Sequence, residues 1–241
     1  MEPARHDSLG KERFSVQLTL KEKRHEVADV HSFLFEPPEP LTWQAGQFMR
    51  YELPHENEDE KGIERWFTIA SPPYEGLAQI TTRITNSSFK RALAGMSPGD
   101  RITADPPEGD FIWEDTDDRI VFVAAGIGIT PYHSILKQRM HDGDSMKATL
   151  IYGNRTKEIV FKEELDRWVV EHPELTVFYK IGVMLNPENL SEIVPDLPKC
   201  LLYLSGPEKM VEDLGEQLSK AGMPKKRIKQ DFFPGYDEKN Y

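Results

Sequence analysis

The sequence predicts two folds in series: an antiparallel β-barrel domain, then a doubly wound parallel α/β domain of five strands. Three observations carry this. Up to about Asp118 the apolar residues come in short stretches with a period of two, broken by proline and glycine. Beyond it, continuous apolar runs alternate with segments of helical periodicity. Between the two rhythms lies the acidic stretch Glu114-Asp115-Thr116-Asp117-Asp118. Short strands with regular turn signals indicate a small barrel, and strands alternating with helices indicate a parallel sheet. The expected organisation is a polar tail at 1–12, a barrel domain at 13–115 and an α/β domain at 116–241.

In the first domain Phe14, Val16, Leu18 and Leu20 alternate with polar residues, as in a half-buried strand. Residues 30–35, 47–53, 65–70, 79–85 and 101–104 also read as strands, separated by prolines such as Pro37, Pro54 and Pro72. One short helix is expected over 89–94, with Ser88 as its N-cap. The charged run 56–64 reads as a solvated loop. In the second domain 120–125 is a continuous apolar run, suited to a strand buried on both faces. A helix carrying Tyr132, Ile135, Leu136 and Met140 follows, then a strand at 148–152. Phe161, Leu165, Trp168 and Val169 mark the next helix, and 176–181 and 200–204 are further strands. Met210, Val211, Leu214 and Leu218 mark a helix stopped by Gly222 and Pro224, and a fifth strand is expected at 228–233.

Composition narrows the function classes. The 241 residues carry 30 basic and 41 acidic side chains, a net charge of -11, which argues against non-specific nucleic-acid binding. Mean hydropathy is -0.57, and no apolar run approaches the ~20 residues of a membrane helix. The first residues have no apolar core of a signal peptide, so a cytoplasmic location is expected. One cysteine, Cys200, excludes an internal disulfide and a four-thiolate iron–sulfur cluster. The seven histidines show no metal-binding spacing, and no metal site is expected. Neither a GxSxG elbow nor a GxxxxGK[ST] loop occurs.

Three motifs bear on chemistry. Gly126-Ile127-Gly128-Ile129-Thr130-Pro131 follows a buried strand and opens a helix, where a pyrophosphate can approach backbone N–H groups. Thr130 would cap that helix, with Pro131 at its first position. An ordinary tight turn reads equally well. Arg65-Trp66-Phe67-Thr68-Ile69-Ala70-Ser71 puts a cation and an aromatic ring on one strand face, suited to a phosphate and a flat ring, or to a plain barrel strand. Ser205-Gly206-Pro207-Glu208-Lys209-Met210 is again a strand end running into a helix. In open α/β sheets ligands lie beyond the carboxyl ends of strands, so Ser205 and Thr130 should share one rim.

Taken in order, these motifs resemble the ferredoxin–NADP reductase superfamily over nearly the whole chain. The resemblance implies FAD on the barrel, a nicotinamide coenzyme on the α/β domain, and hydride transfer to flavin followed by single-electron transfer to an acceptor. It implies that Arg65 meets the FAD pyrophosphate, that Phe67 stacks on the isoalloxazine, that Thr68 sits near its reactive nitrogen and that Ser71 supports the loop. Thr82 and Arg83 would line the flavin and ribityl chain, and Ser88, Phe89 and Lys90 would hold the pyrophosphate. Gly126, Gly128, Thr130 and Pro131 would receive the nicotinamide nucleotide, with Gly206, Pro207 and Met210 across from them. Asn154 and Arg155 would lie near the adenosine ribose. Asp231 and Phe233 would bring a carboxylate and an aromatic ring to the flavin, and Ser205 stands where many members have a cysteine beside the nicotinamide. Thr68, Ser205 and Asp231 are thus the expected catalytic residues.

Arg155 and Lys157 after the second α/β strand favour NADPH over NADH, since a cation there can pair with a 2′-phosphate. With too few cysteines for a fused cluster, the acceptor is expected to be a separate soluble molecule: a ferredoxin or flavodoxin, a ferric complex or a quinone. Lys90, Arg91 and Arg101 are candidates for a basic docking patch. The alternative from another class is a non-catalytic flavin- or nucleotide-binding subunit or sensor.

Overall fold

A computed structural model of the chain describes residues 15–232; Phe14, the 1–12 tail and the expected ring at Phe233 lie outside the described residues. Its elements follow the predicted change of rhythm. Strands β1 (Val16–Val27), β2 (Val30–Glu36), β3 (Phe48–Glu52), β4 (Glu64–Thr68), β5 (Ala78–Arg83) and β6 (Arg101–Ala104) form one sheet, in the order β4-β3-β6-β1-β2-β5. Every pairing in it is antiparallel. The chain beyond β4 returns to β5, where the Ala70 amide donates to the Gln79 carbonyl at 2.8 Å, so the sheet curls into a barrel. Its inward residues, among them Leu18, Phe33, Met49, Tyr51, Phe67, Ile80 and Ile102, make a single apolar core. Helix α1 (Ser88–Gly95) sets Phe89 and Leu93 into that core.

The second sheet is parallel, in the order β11-β10-β7-β8-β9: β7 (Ile120–Ala125), β8 (Ala148–Asn154), β9 (Leu175–Ile181), β10 (Leu201–Ser205) and β11 (Ile228–Asp231). Both faces are covered, which is why β7 and β10 are apolar without alternation. On one face α2 (Thr130–Asp142) and α3 (Lys162–Glu171) pack through Tyr132, Ile135, Leu165 and Trp168. On the other, α4 (Pro187–Ile193) and α5 (Glu208–Lys220) pack through Leu190, Val211, Leu214 and Leu218.

Several boundaries differ from the sequence reading. The first strand runs to Val27 and turns tightly at Ala28-Asp29 into β2, with Ala28 at φ 49°. Helix α4 went unread because its seven residues carry one fully buried apolar side chain, Leu190; a reciprocal Asn186–Asn189 capping box holds its start. The α1 cap position is Ser87, not Ser88, which is the first helical residue. Likewise a 3₁₀ turn over Gly126–Ile129 leads into α2, so Ile129 holds the cap position; the Thr130 hydroxyl donates instead to the Ile127 carbonyl at 3.1 Å. Cys200 is buried just before β10 rather than inside it, and β11 ends at Asp231.

The connection between the sheets is pinned from below. Phe111 packs on Tyr132 and Tyr203. The buried Tyr203 hydroxyl donates to the Ile112 carbonyl and accepts from the Glu114 amide, both at 3.0 Å. Tyr203→Phe leaves the half-buried Glu114 amide and Ile112 carbonyl without this partner. It should cost about 1–3 kcal/mol in urea denaturation and raise cleavage of the 105–119 connection by a protease at limiting dose.

Candidate functional site

In the parallel sheet the chain order runs from β7 outward through β8 and β9, then returns to β10 on the other side. In open α/β sheets the ligand side is beyond the carboxyl ends of the strands where their order reverses, which here is at β7 and β10. The two turns expected to share a rim meet there. Ser205 pairs in register with Ala124, and the two glycines of the β7 turn do different work. A Cβ on Gly128 would lie 2.4 Å from the Ser205 carbonyl oxygen and 2.6 Å from the Gly206 nitrogen, so this glycine is required by the packing of one turn on the other. Gly126 has φ +54°, and a Cβ there would meet nothing within 4 Å, so its backbone lies open to a ligand. Gly206 lies beneath the Met210 methyl, where a Cβ would come within 2.5 Å, and Pro207 stands at the α5 cap position. Pro131 lies in the first turn of α2.

Ser205 donates to Asp231 Oδ2 at 3.0 Å, the two residues facing each other across β10 and β11. Burial pushes the Asp231 carboxyl up to about 6, against the opposing pull of the serine hydrogen bond. Asn154 ends β8, and the exposed Arg155 follows it.

On the barrel Arg65, Phe67 and Ile69 share the inner face as expected, while Trp66 points outward. The ring of Phe67 is only 7% exposed, with centroids 5.9 Å from Tyr51 and 5.8 Å from Phe89. Thr68 and Thr82 are buried. Arg83 pairs with Asp29 at the β1–β2 turn. The Ser71 hydroxyl ties the β4–β5 connection: it donates to Leu77 O at 2.5 Å and accepts from the Gln79 amide at 3.0 Å. Lys90 is buried, so it does not belong to a surface docking patch; Arg91 and Arg101 are exposed. Burial, then Arg65, Lys61 and Arg83, lower the Lys90 ammonium to about 8.

Arg65 is 2% exposed and fully engaged. Its Nη1 donates to the carbonyls of Lys61, Gly62 and Glu64, and its Nη2 donates to Asp59 Oδ1 at 2.5 Å. The 56–64 run is thus not merely a solvated loop: Asp59 ties it both to Arg65 and to the start of α1, where Oδ2 accepts from the Ser88 amide at 2.8 Å.

A further contact joins the two rims. His133, buried on α2, places Nδ1 2.8 Å from the Ala70 carbonyl and Nε2 2.6 Å from Glu164 Oε2, with its ring stacked on Phe161 at 3.8 Å. Ser134 donates to the Ser71 carbonyl at 2.7 Å. The helix that starts in the glycine turn is therefore fastened to the strand end that carries Thr68. Neither His133 nor Asp59 stands in a motif, and only three-dimensional proximity singles them out.

Residues 122–216 match the family model of the oxidoreductase NAD-binding domain. Over 231 residues the chain is 27% identical to the ferredoxin reductase component of 3-ketosteroid-9-alpha-monooxygenase from Rhodococcus rhodochrous, covering 91% of this chain. Among solved structures, the flavohaem-like FAD/NAD-binding domain of nitric oxide dioxygenase from Vibrio cholerae superposes with TM-score 0.77 at 23% identity, covering 90% of this chain and 98% of that one. Ferredoxin-NADP+ reductase from Plasmodium falciparum gives 0.76 at 18% identity, with coverage of 91% and 96%. Residues 122–216 thus match an oxidoreductase NAD-binding domain, and the chain as a whole has the two-domain fold of these FAD/NAD-binding reductases. It spans 65% of the length of the Rhodococcus relative. Among the described residues no helix is long and apolar enough to cross a membrane, and no three His, Cys, Asp or Glu side chains are grouped to hold a metal ion.

The Asp231 carboxyl sets a stability slope. Its folded value, about 6, lies above its ordinary 3.8, so the folded chain holds the extra proton between those values and loses stability as pH rises through that window. Wild type should lose on the order of 1–2 kcal/mol relative to Asp231→Asn between pH 4 and pH 7 in urea denaturation. Parallel pH profiles for the two proteins would contradict the assignment.

Proposed function

We propose that the chain is an FAD-dependent NAD(P)H oxidoreductase that passes electrons singly to a separate acceptor, with a barrel domain at 13–115 and a nucleotide domain at 116–241. The observation that carries this is the junction at α2. The helix rising from the Gly126–Pro131 turn is bonded through His133 and Ser134 to Ala70 and Ser71, at the end of the strand bearing Arg65 and Thr68. Two ligand rims held in one rigid contact suit a transfer between two bound rings, which depends on fixed distance and orientation.

The residues fit a dinucleotide flavin. Arg65, Lys90, Lys61 and Arg83 act together on the α1 start, and their mutual repulsion contributes to the lowered Lys90 value. A pyrophosphate would relieve it. When bound, FAD supplies a ring that accepts hydride and releases electrons one at a time. Arg65, Lys90 and the Ser88 amide then hold its phosphates, Thr68 and Ser71 shape the rim beneath the ring, and Thr82 and Arg83 border it. On the nucleotide side Gly126 gives the coenzyme an open backbone, with Gly128, Thr130, Pro131, Gly206, Pro207 and Met210 forming the opposed turns. Ser205 and Asp231 form a hydrogen-bonded pair at the crevice floor, where the serine orients the nicotinamide and Asp231 can hold a proton near neutral pH. Asn154 and Arg155 contact the ribose end, and Arg155 favours NADPH. The acceptor is a soluble one-electron carrier such as a ferredoxin or flavodoxin, a ferric complex or a quinone; similarity to the Rhodococcus ferredoxin reductase component supports the first.

The purified chain reconstituted with FAD should show a flavin visible spectrum and reduce an artificial one-electron acceptor with NADPH. A colourless product that takes up no FAD would sink the reading, and flavin loading without turnover would favour a binding subunit. FAD affinity should also fall as pH rises through about 8, where Lys90 loses its proton, and Lys90→Met should flatten that dependence while weakening binding at pH 7. Arg155→Ala should raise the NADPH half-saturation and leave that of NADH nearly unchanged.

A further inference from the structure

The donors expected to meet a flavin pyrophosphate are already met by a side chain of the protein. Asp59 uses both carboxylate oxygens: Oδ1 accepts from Arg65 Nη2 at 2.5 Å and from the Lys61 amide at 3.0 Å, and Oδ2 accepts from the Ser88 amide at 2.8 Å. The contact is reciprocal, since the Asp59 amide donates to Ser88 Oγ at 2.9 Å, and His55 Nε2 lies 2.8 Å from the same hydroxyl. A carboxylate and a phosphate ask for the same things here, a guanidinium and the N–H groups of a helix start. We propose that Asp59 is a resident competitor of the flavin pyrophosphate, and that FAD binds by displacing the segment around Asp59 from Arg65 and α1. This rests on the flavin reading above and adds to it an exchangeable site.

Three features suit the loop to that exchange. Asn57 and Gly62 both take positive φ, 53° and 62°, so left-handed residues bracket Asp59 and the loop is anchored by side chains rather than by a strand ladder. The Asp59 side chain is 32% exposed, which gives an incoming anion access to it, whereas Arg65 is buried. A cavity of about 360 Å3 opens beside the contact, lined by His55, Glu56, Asn57, Ser88, Arg91 and Ala92. Burial raises the Asp59 pKa, but the Ser88 amide and Arg65 outweigh it and hold the carboxyl well below its usual range. Acid in the neutral range therefore does not release the loop; a stronger anion must. Once Asp59 leaves, Arg65 keeps the carbonyls of Lys61, Gly62 and Glu64 only if the 61–64 turn stays in place, so the moving part is the segment around Asp59.

The test is a flavin titration of the full chain, stripped of flavin at high salt, comparing wild type with Asp59→Asn and with Glu58→Gln as a charge control in the same loop. Asp59→Asn should bind FAD and ADP about tenfold more tightly or better, while riboflavin, which has no phosphate, and the Glu58→Gln protein show no such gain. Hydrogen exchange on wild type gives a reading that needs no variant: the amides of Asp59, Lys61 and Gly62 should lose protection when FAD is added. Equal FAD affinity in wild type and Asp59→Asn, or undiminished protection of those amides in the FAD-loaded chain, overturns the competitor while leaving the flavin reading intact. If neither protein binds FAD, the flavin reading falls and the competitor falls with it.

Discussion

A guanidinium in the wall of a barrel must be answered on every side, and the burial of Arg65 organises much of the first domain. Three carbonyls and one carboxylate from the 59–64 segment meet it, and the Ser87 hydroxyl accepts from it at 3.3 Å. Those bonds give the loop its path, bring Asp59 to the first amide of α1 and fix where that helix starts. Removing the carboxylate while keeping the cation would leave a buried charge short of partners, a cost of a different order from the loss of a surface ion pair. The same cluster puts Lys90 beside Arg65 in a buried position, so positive charge accumulates at one point of a chain that is acidic overall.

The second constraint is mechanical. Parallel sheets bind at the reversal of strand order, and here that reversal lies under the start of α2. His133 and Ser134 carry the helix onto Ala70 and Ser71, while Lys137 pairs with Glu75 and His141 stacks on Tyr74 one and two turns further along. The barrel and the nucleotide fold are thus held along one helix face, close to the residues proposed for chemistry. Gly128 belongs to the same economy of space: it allows the β7 turn to sit on the β10 turn, and Gly126 is left open to a ligand.

Periodicity made most of this fold legible, because buried strands and amphipathic helices leave a mark on their own residues. β7 and β10, apolar on both faces, and α5, with Val211, Leu214 and Leu218, could be read locally. Elements held by side-chain bonds could not: α4 rests on Asn186 and Asn189 and buries Leu190 alone. The glycine turns and Arg65 were visible through their motifs. Asp59 was hidden in a run of acidic residues, and its partners at Arg65 and Ser88 become neighbours only when the barrel closes. Lys90 looked like a surface cation because nothing in a short helix tells which lysine faces inward; the α1 register does, and it buries Phe89, Lys90 and Leu93. His133 likewise carries no local sign of the Ala70 carbonyl it meets.

What Arg65 and the α1 start hold when flavin is bound decides between displacement and a fixed loop. A crystal structure of the full chain loaded with FAD tests this most directly. The pyrophosphate is expected within hydrogen-bond distance of Arg65 and the Ser88 amide, with the Asp59 carboxylate moved off both. A pyrophosphate bound elsewhere, with Asp59 still on Arg65 and Ser88, would contradict it.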